Sequence, residues 1–165
     1  MKSNEKVSSK EVGLEIGLVI SRFLYKTEHL HYGYWPDDLE IIPENVRKAQ
    51  DLHSKLIIDS IPDDVETILD IGSGSGGLAE KLIEKGFNVH CVSPSDYLAD
   101  AIEEKLGDKV KVYRSTCQDL ELEQKYDLVI FSESFQYVHL ILPNRCGIQQ
   151  HHHYSCLFCW LRHLL

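Results

Sequence analysis

The sequence predicts an α/β protein with a parallel sheet, on three observations. From Thr67 onward, short apolar runs of strand length alternate with stretches of helical length, and such alternation means parallel strands joined by right-handed crossovers. The first run, Thr67-Ile68-Leu69-Asp70-Ile71, collapses into Gly72-Ser73-Gly74-Ser75-Gly76-Gly77, a strand-to-helix turn. Asp70, Ser93, Cys117 and Ser132 all fall at or just past strand ends, on the one rim where open α/β sheets bind ligands.

The elements follow in chain order. Val12, Ile16, Val19, Ile20, Phe23 and Leu24 recur at helical spacing, so residues 8–28 are expected to form an amphipathic helix lying on the core. His31-Tyr32-Gly33-Tyr34-Trp35-Pro36 is an aromatic cluster in a loop. Tyr and Trp offer an apolar body with a polar tip, which suits either a ligand lid or a plain hydrophobic clasp. Pro43, a favoured first-turn residue, starts a second helix that runs to about Ile58 with Val46, Ala49, Leu52, Leu56 and Ile57 on its inner side. Strands are then expected at 67–71, 88–92, 110–113 and 126–131, with helices near 76–86 and 95–106.

With 165 residues, 43% of them hydrophobic, the chain can form one domain that buries roughly 70% of its unfolded surface. Its parts read as a helical cap with an aromatic lid over 1–60, a ligand-binding core over 61–140 and an atypical tail over 141–165. A formal charge of -9 and the lack of a long basic run argue against nucleic acid and anionic membrane as partners. The chain opens on Met1-Lys2-Ser3-Asn4-Glu5-Lys6 without an apolar leader, and no stretch approaches the roughly 18 uncharged residues of a membrane span. Five cysteines without disulfide-like spacing in the main body fit a reducing compartment, so a cytoplasmic protein is expected.

The glycine turn suits a nucleotide-like ligand, because glycine accepts positive φ, lets the backbone approach closely, and leads into a helix N-terminus. Its spacing Gly72-x-Gly74-x-x-Gly77 also satisfies the dinucleotide fingerprint. Asp70 decides between the two readings. A carboxylate at the mouth of the strand repels a pyrophosphate and suits a cationic or hydrogen-bond-donating ligand.

In these residues the chain resembles a class I S-adenosylmethionine-dependent methyltransferase, whose first motif is a hydrophobic strand ending in Asp/Glu-x-Gly-x-Gly-x-Gly. Asp70, Gly72, Gly74 and Gly76 match it one for one. The likeness continues through Val89-His90-Cys91-Val92-Ser93-Pro94-Ser95 and Tyr126-Asp127-Leu128-Val129-Ile130-Phe131-Ser132-Glu133-Ser134, in the order of that family's second and fourth strands, and covers about residues 30 to 140. It implies a Rossmann-like sheet of order 3-2-1-4 with later strands missing, under an N-terminal helical cap. It implies S-adenosylmethionine as cofactor, held by Asp70, Gly72, Ser73, Gly74 and Gly76, with Ser93, Cys117, Gln118 and Ser132 around the same rim. The family usually ends its second strand on an acid that takes the ribose hydroxyls; here Ser93 stands there, and a neutral hydrogen bond is roughly half as strong as a charge-assisted one. At the third strand's end Ser115-Thr116-Cys117-Gln118-Asp119 replaces the usual Gly-Asp pair, and Asp119 either meets the adenine or caps a turn.

The implied reaction is methyl transfer to a small-molecule or lipid-like acceptor. Tyr32 and Trp35 would form the lid, Tyr34 and Glu133 would act on the acceptor, and His139, which titrates near neutrality, could draw a proton from it. Glu133 and His139 read equally as exposed polar residues on a short helix. The rivals are an inactive cofactor-binding module and, against Asp70 and Ser93, a nicotinamide-dependent oxidoreductase.

After Leu140 the composition changes. Residues 141–165 contain no Asp or Glu, yet hold three of the five Cys and four of the nine His. No glycine turn or strand pattern continues the alternation. A truncation or frameshift after about residue 140, a genuine short variant, and a metal site from Cys146, His151, His152, His153, Cys156 and Cys159 are the alternatives; paired knuckles at zinc spacing are missing, so no metal is expected. Loss of later strands would leave 126–131 as an apolar edge open to self-association unless the tail covers it.

Overall fold

The computed structural model describes residues 9–122, 124–132 and 134, and the backbone of 155–159. At the centre lies a parallel sheet of β1 (Thr67–Ile71), β2 (Asn88–Val92), β3 (Lys111–Tyr113) and β4 (Leu128–Ser132), in the order β3-β2-β1-β4. The first three strands are joined through α3 (Gly77–Glu84) and α4 (Asp96–Leu106). This is the Rossmann-like arrangement that the alternation and the glycine turn foreshadow.

The pleat sorts the strand residues. Ile68, Val89, Cys91, Leu128 and Ile130 face Leu78, Leu82, Ile102 and Leu106 of the two crossover helices and Ile57 of α2 (Val46–Asp59). Leu69, Ile71, Val92, Val129 and Phe131 face the opposite way, onto Cys117, Leu120 and Tyr126. Both faces are apolar, as parallel strands require. β1 and β4 are tied at their start: Asp127 Oδ2 accepts from the backbone N–H groups of Glu66 (3.1 Å) and Thr67 (2.8 Å) and from the Thr67 hydroxyl (2.8 Å), and these bonds lower the Asp127 pKa.

Two expectations about the ends of the chain are corrected. The apolar run 8–28 divides into α1 (Ser9–Ile20) and a π-helical turn, Ser21–Tyr25, and its face does not lie on the core. Among its described apolar side chains only Leu18 is buried, while Val12, Ile16, Val19, Ile20, Phe23 and Leu24 are exposed. Periodicity shows that a helix has an apolar face without showing what covers it. In α2, Ala49 and Ile57 face inward as expected, but Leu56 is exposed and Gln50, His53 and Ser54 are buried instead.

The tail, in turn, joins the sheet. β5 (Ser155–Cys159) lies parallel to β4, in register from Leu128 opposite Ser155 to Ser132 opposite Cys159. The edge expected to be open along 126–131 is therefore taken by the chain itself, so the self-association expected through that strand loses its template. Cys156-Leu157-Phe158-Cys159 is a short apolar run of strand length; the lack of any preceding glycine turn hid it.

Candidate functional site

A cavity of about 620 Å³ opens where β1 and β2 end and the glycine turn begins. The turn is shaped by its glycines. Gly72 (φ 77°), Gly74 (φ 56°) and Gly76 (φ 79°) all take the left-handed region that side-chain-bearing residues avoid. Gly72 also passes beside Ser134, whose hydroxyl donates to Ile71 O. The Gly72 and Ser73 N–H groups both donate to Val92 O, which fastens the turn to the end of β2.

Asp70 is the anomaly of the site. Its side chain is 0% exposed, lines the cavity, and neither carboxylate oxygen has a hydrogen-bond partner among the described residues. The Ser73 hydroxyl beside it donates to the Asp70 backbone carbonyl (2.7 Å). Burial pushes the carboxyl up from 3.8 to about 7.

The remaining rim residues differ in availability. Ser93 lines the cavity, yet its hydroxyl donates to Ser95 O and accepts from Ser95 N–H, while Ser95 Oγ caps α4 through Leu98 N–H. Ser93 therefore offers a ligand one remaining lone pair. Ser115, Thr116, Cys117, Gln118 and Ser132 also line the cavity. Asp119 does not: its carboxylate accepts from the Thr116 hydroxyl (2.7 Å), so it caps the turn rather than facing the ligand.

The aromatic cluster divides. Tyr32 lines the cavity, but Tyr34 and Trp35 do not, which corrects their expected places at the reacting end. Gly33 (φ 84°) presses against the backbone of Ala49 and Gln50, and the Tyr34 N–H donates to Ala49 O (2.9 Å). Those contacts draw 33–35 onto α2. Trp35 Nε1–H closes back on Tyr32 O (2.9 Å).

Two further residues line the cavity: His29, which the sequence reading missed, and His31, which it named only as the start of the aromatic cluster. Gln50 Nε2 donates to both of their carbonyls (3.2 and 2.7 Å), and their rings stand 4.8 Å apart by centroid, with His53 of α2 4.4 Å beyond His31. Burial lowers the His29 pKa to about 4, helped by Lys81, and the His31 pKa to about 2, helped by His53 and His29. Both are therefore neutral at pH 7. The His29 ring lies over Gly77, where a Cβ would meet it at 2.7 Å. The segment is latched further by the Ser75 hydroxyl donating to Glu28 O and by the Glu28–Lys105 ion pair. A His-x-His pair just ahead of the aromatic loop was the available signal. Glu133 and His139 lie outside the described residues. Among the described residues no His, Cys, Asp or Glu cluster is placed to hold a metal, and no helix is long and apolar enough to cross a membrane.

Residues 68–145 match a family model described as a methyltransferase domain. A ubiquinone biosynthesis O-methyltransferase of Rickettsia bellii is 31% identical over 126 residues, which are 70% of this chain and 50% of that one. The chain thus spans about half the length of this curated relative. Of solved structures, one from Methanococcus maripaludis, provisionally assigned as an S-adenosyl-L-methionine-dependent methyltransferase, matches with a TM-score of 0.57 at 18% identity, over 86% of this chain and 58% of that one. The [4+2]-cyclase SpnF matches with a TM-score of 0.56 at 17% identity, over 73% of this chain and 48% of its own. The two structures share the fold with this chain.

Proposed function

We infer that this chain is a class I S-adenosylmethionine-dependent methyltransferase, that its cavity binds S-adenosylmethionine, and that it serves methyl transfer to a small-molecule or lipid-like acceptor. The observation that carries the reading is Asp70, a fully buried carboxylate set at the glycine turn, with no hydrogen-bond partner for either oxygen among the described residues. Such a group calls for a cationic or donor-rich ligand and repels a pyrophosphate. The donor set therefore fits S-adenosylmethionine better than a dinucleotide.

When bound, the cofactor supplies a methyl group already activated by the sulfonium charge. The chain's own work is then holding and orienting. The turn at Gly72, Gly74 and Gly76 gives the backbone its close approach, Asp70 receives the ligand's donors, and Ser93 keeps one lone pair for a ribose hydroxyl. Cys117 and Gln118 also line the cavity and would meet the adenine. His29 and His31 present neutral imidazoles and Tyr32 a phenol group, the lining Glu28 is ion-paired with Lys105, and no Lys or Arg lines the cavity among the described residues. An uncharged acceptor suits that wall, and the Rickettsia relative's name points to oxygen as the methylated atom. Glu133 and His139 remain the proposed bases.

The test is calorimetric titration of the 165-residue chain with S-adenosylmethionine and with NADH, followed by transfer of labelled methyl to a panel of phenols, alcohols and amines. Binding of S-adenosylmethionine but not NADH, weakened about tenfold or more by Asp70→Asn, is expected. No affinity for S-adenosylmethionine would sink the reading. A second reading, a binding module without turnover, is favoured by the displacement of Tyr34 from the cavity; binding without methyl transfer to any acceptor would select it.

A further inference from the structure

The helix that was expected to lie on the core carries its apolar side outward. Ile16 is 52% exposed, Val19 56% and Phe23 72%, with Val12 and Ile20 beside them, while Leu18 on the opposite side is fully buried. The helix is apolar on two sides, and the side away from Leu18 calls for a covering surface of its own. Val12, Ile16, Val19 and Phe23 are spaced four, three and four residues apart, the alternation of a heptad seam. In the sequence Glu15 and Arg22 take equivalent flanking positions one heptad apart, Arg22 within the π-helical turn and with its guanidinium on Glu28 of its own chain, and Gly13 and Ile20 take those of the other flank.

We propose that this face pairs two copies of the chain, antiparallel, through residues 12–23. In a two-fold arrangement each contact is made twice, residue i with j and j with i. Antiparallel pairing sets Val12 against Phe23 and Ile16 against Val19, and the same register brings Glu15 of each copy beside Arg22 of the other. Charge complementarity thus appears on the register that the apolar residues select. On the opposite flank Ile20 meets Gly13, where a Cβ has nothing within 4 Å, so the larger side chain finds room. A parallel pair would put Glu15 beside no cation of this stretch. The open strand edge that would have offered another route to self-association is covered by β5.

The proposal is independent of the cofactor reading. Its test is sedimentation velocity of the full 165-residue chain over a concentration series, with variants. A dimer is expected. Ile16→Glu should abolish it. Glu15→Arg should weaken it about tenfold or more, since like charges then face each other twice, and Glu15→Arg combined with Arg22→Glu should restore it to within about threefold. Glu28 loses Arg22 in the double variant but keeps Lys105, so the fold, followed by circular dichroism, should stay intact. A monomer up to about 100 μM, a dimer indifferent to Ile16→Glu, or a charge swap that fails to restore pairing would overturn it. So would flotation of a monomer with phosphatidylcholine vesicles, which would assign the face to a lipid surface.

Discussion

At Asp70, burial removes the water a carboxylate normally keeps, and no described protein group replaces it. Its folded pKa of about 7 lies above the ordinary 3.8. Between those values the folded chain holds a proton that the unfolded chain has released, so this residue makes stability fall as pH rises from about 4 to about 7. Asp70→Asn should remove that slope and stabilise the ligand-free protein at pH 8 by up to about 4 kcal/mol, with little effect at pH 4, as read by urea unfolding. The same substitution should abolish the pH dependence of cofactor binding. In the parent chain affinity should climb with pH and level off above about 7, because a cationic ligand selects the carboxylate. Gly77→Ala should drive the His29 ring off the turn and cost about 1–3 kcal/mol, and adding His29→Ala should recover part of the loss in a double-mutant cycle.

The segment from Thr27 to Trp35 behaves as an element although it has no regular structure. Gln50 holds two of its carbonyls, Ala49 holds Tyr34, and Glu28 and Ser75 fasten it to the glycine turn. Its histidines are neutral because they are buried beside one another and near Lys81. An unfolded chain would take up those protons near pH 6.5, so stability should fall as pH drops from about 6.5 towards 4, opposite in sign to Asp70. His29→Gln and His31→Gln should each flatten that acid limb in denaturation curves from pH 4 to 7; an unchanged slope would show that the rings are not shielded. None of this was legible in the residues, since local spacing tells neither that Gly33 turns the chain onto α2 nor that Gln50 reaches back across 19 and 21 residues. The strands were legible, because β-branched runs ending in glycine have one good use in an α/β chain. Asp70 was legible too, for a charge inside such a run needs a reason. Ser93 was placed on the right rim, but its bonds to Ser95 depend on a turn that only the coordinates show.

Over the whole molecule, the sheet depends on a strand taken from a stretch of foreign composition. β5 closes the β4 edge, and a proline there would remove a ladder donor and clash with the pairing. Leu157→Pro should cost about 3 kcal/mol and raise the aggregation rate on heating, measured by calorimetry and light scattering; equal behaviour to the parent would mean that the strand contributes little in solution. α1 shows the other limit of reading from sequence. Its period was right and its facing was wrong, because an apolar stripe is written identically for a core and for a partner.

The clasp between Asp127 and Thr67 bears on the time course of folding. β1 meets β2 through a single crossover, whereas it meets β4 only after about 60 residues of chain have been gathered in. Loop closure makes the second pairing the slower one, so the β1–α3–β2 unit can form early while β4 docks late. The cavity is bounded by both pairings. A nascent chain therefore acquires its glycine turn well before it acquires a site that can close around a ligand, and a chain caught between those two moments exposes Leu69 and Ile71 along the very strand that carries Asp70.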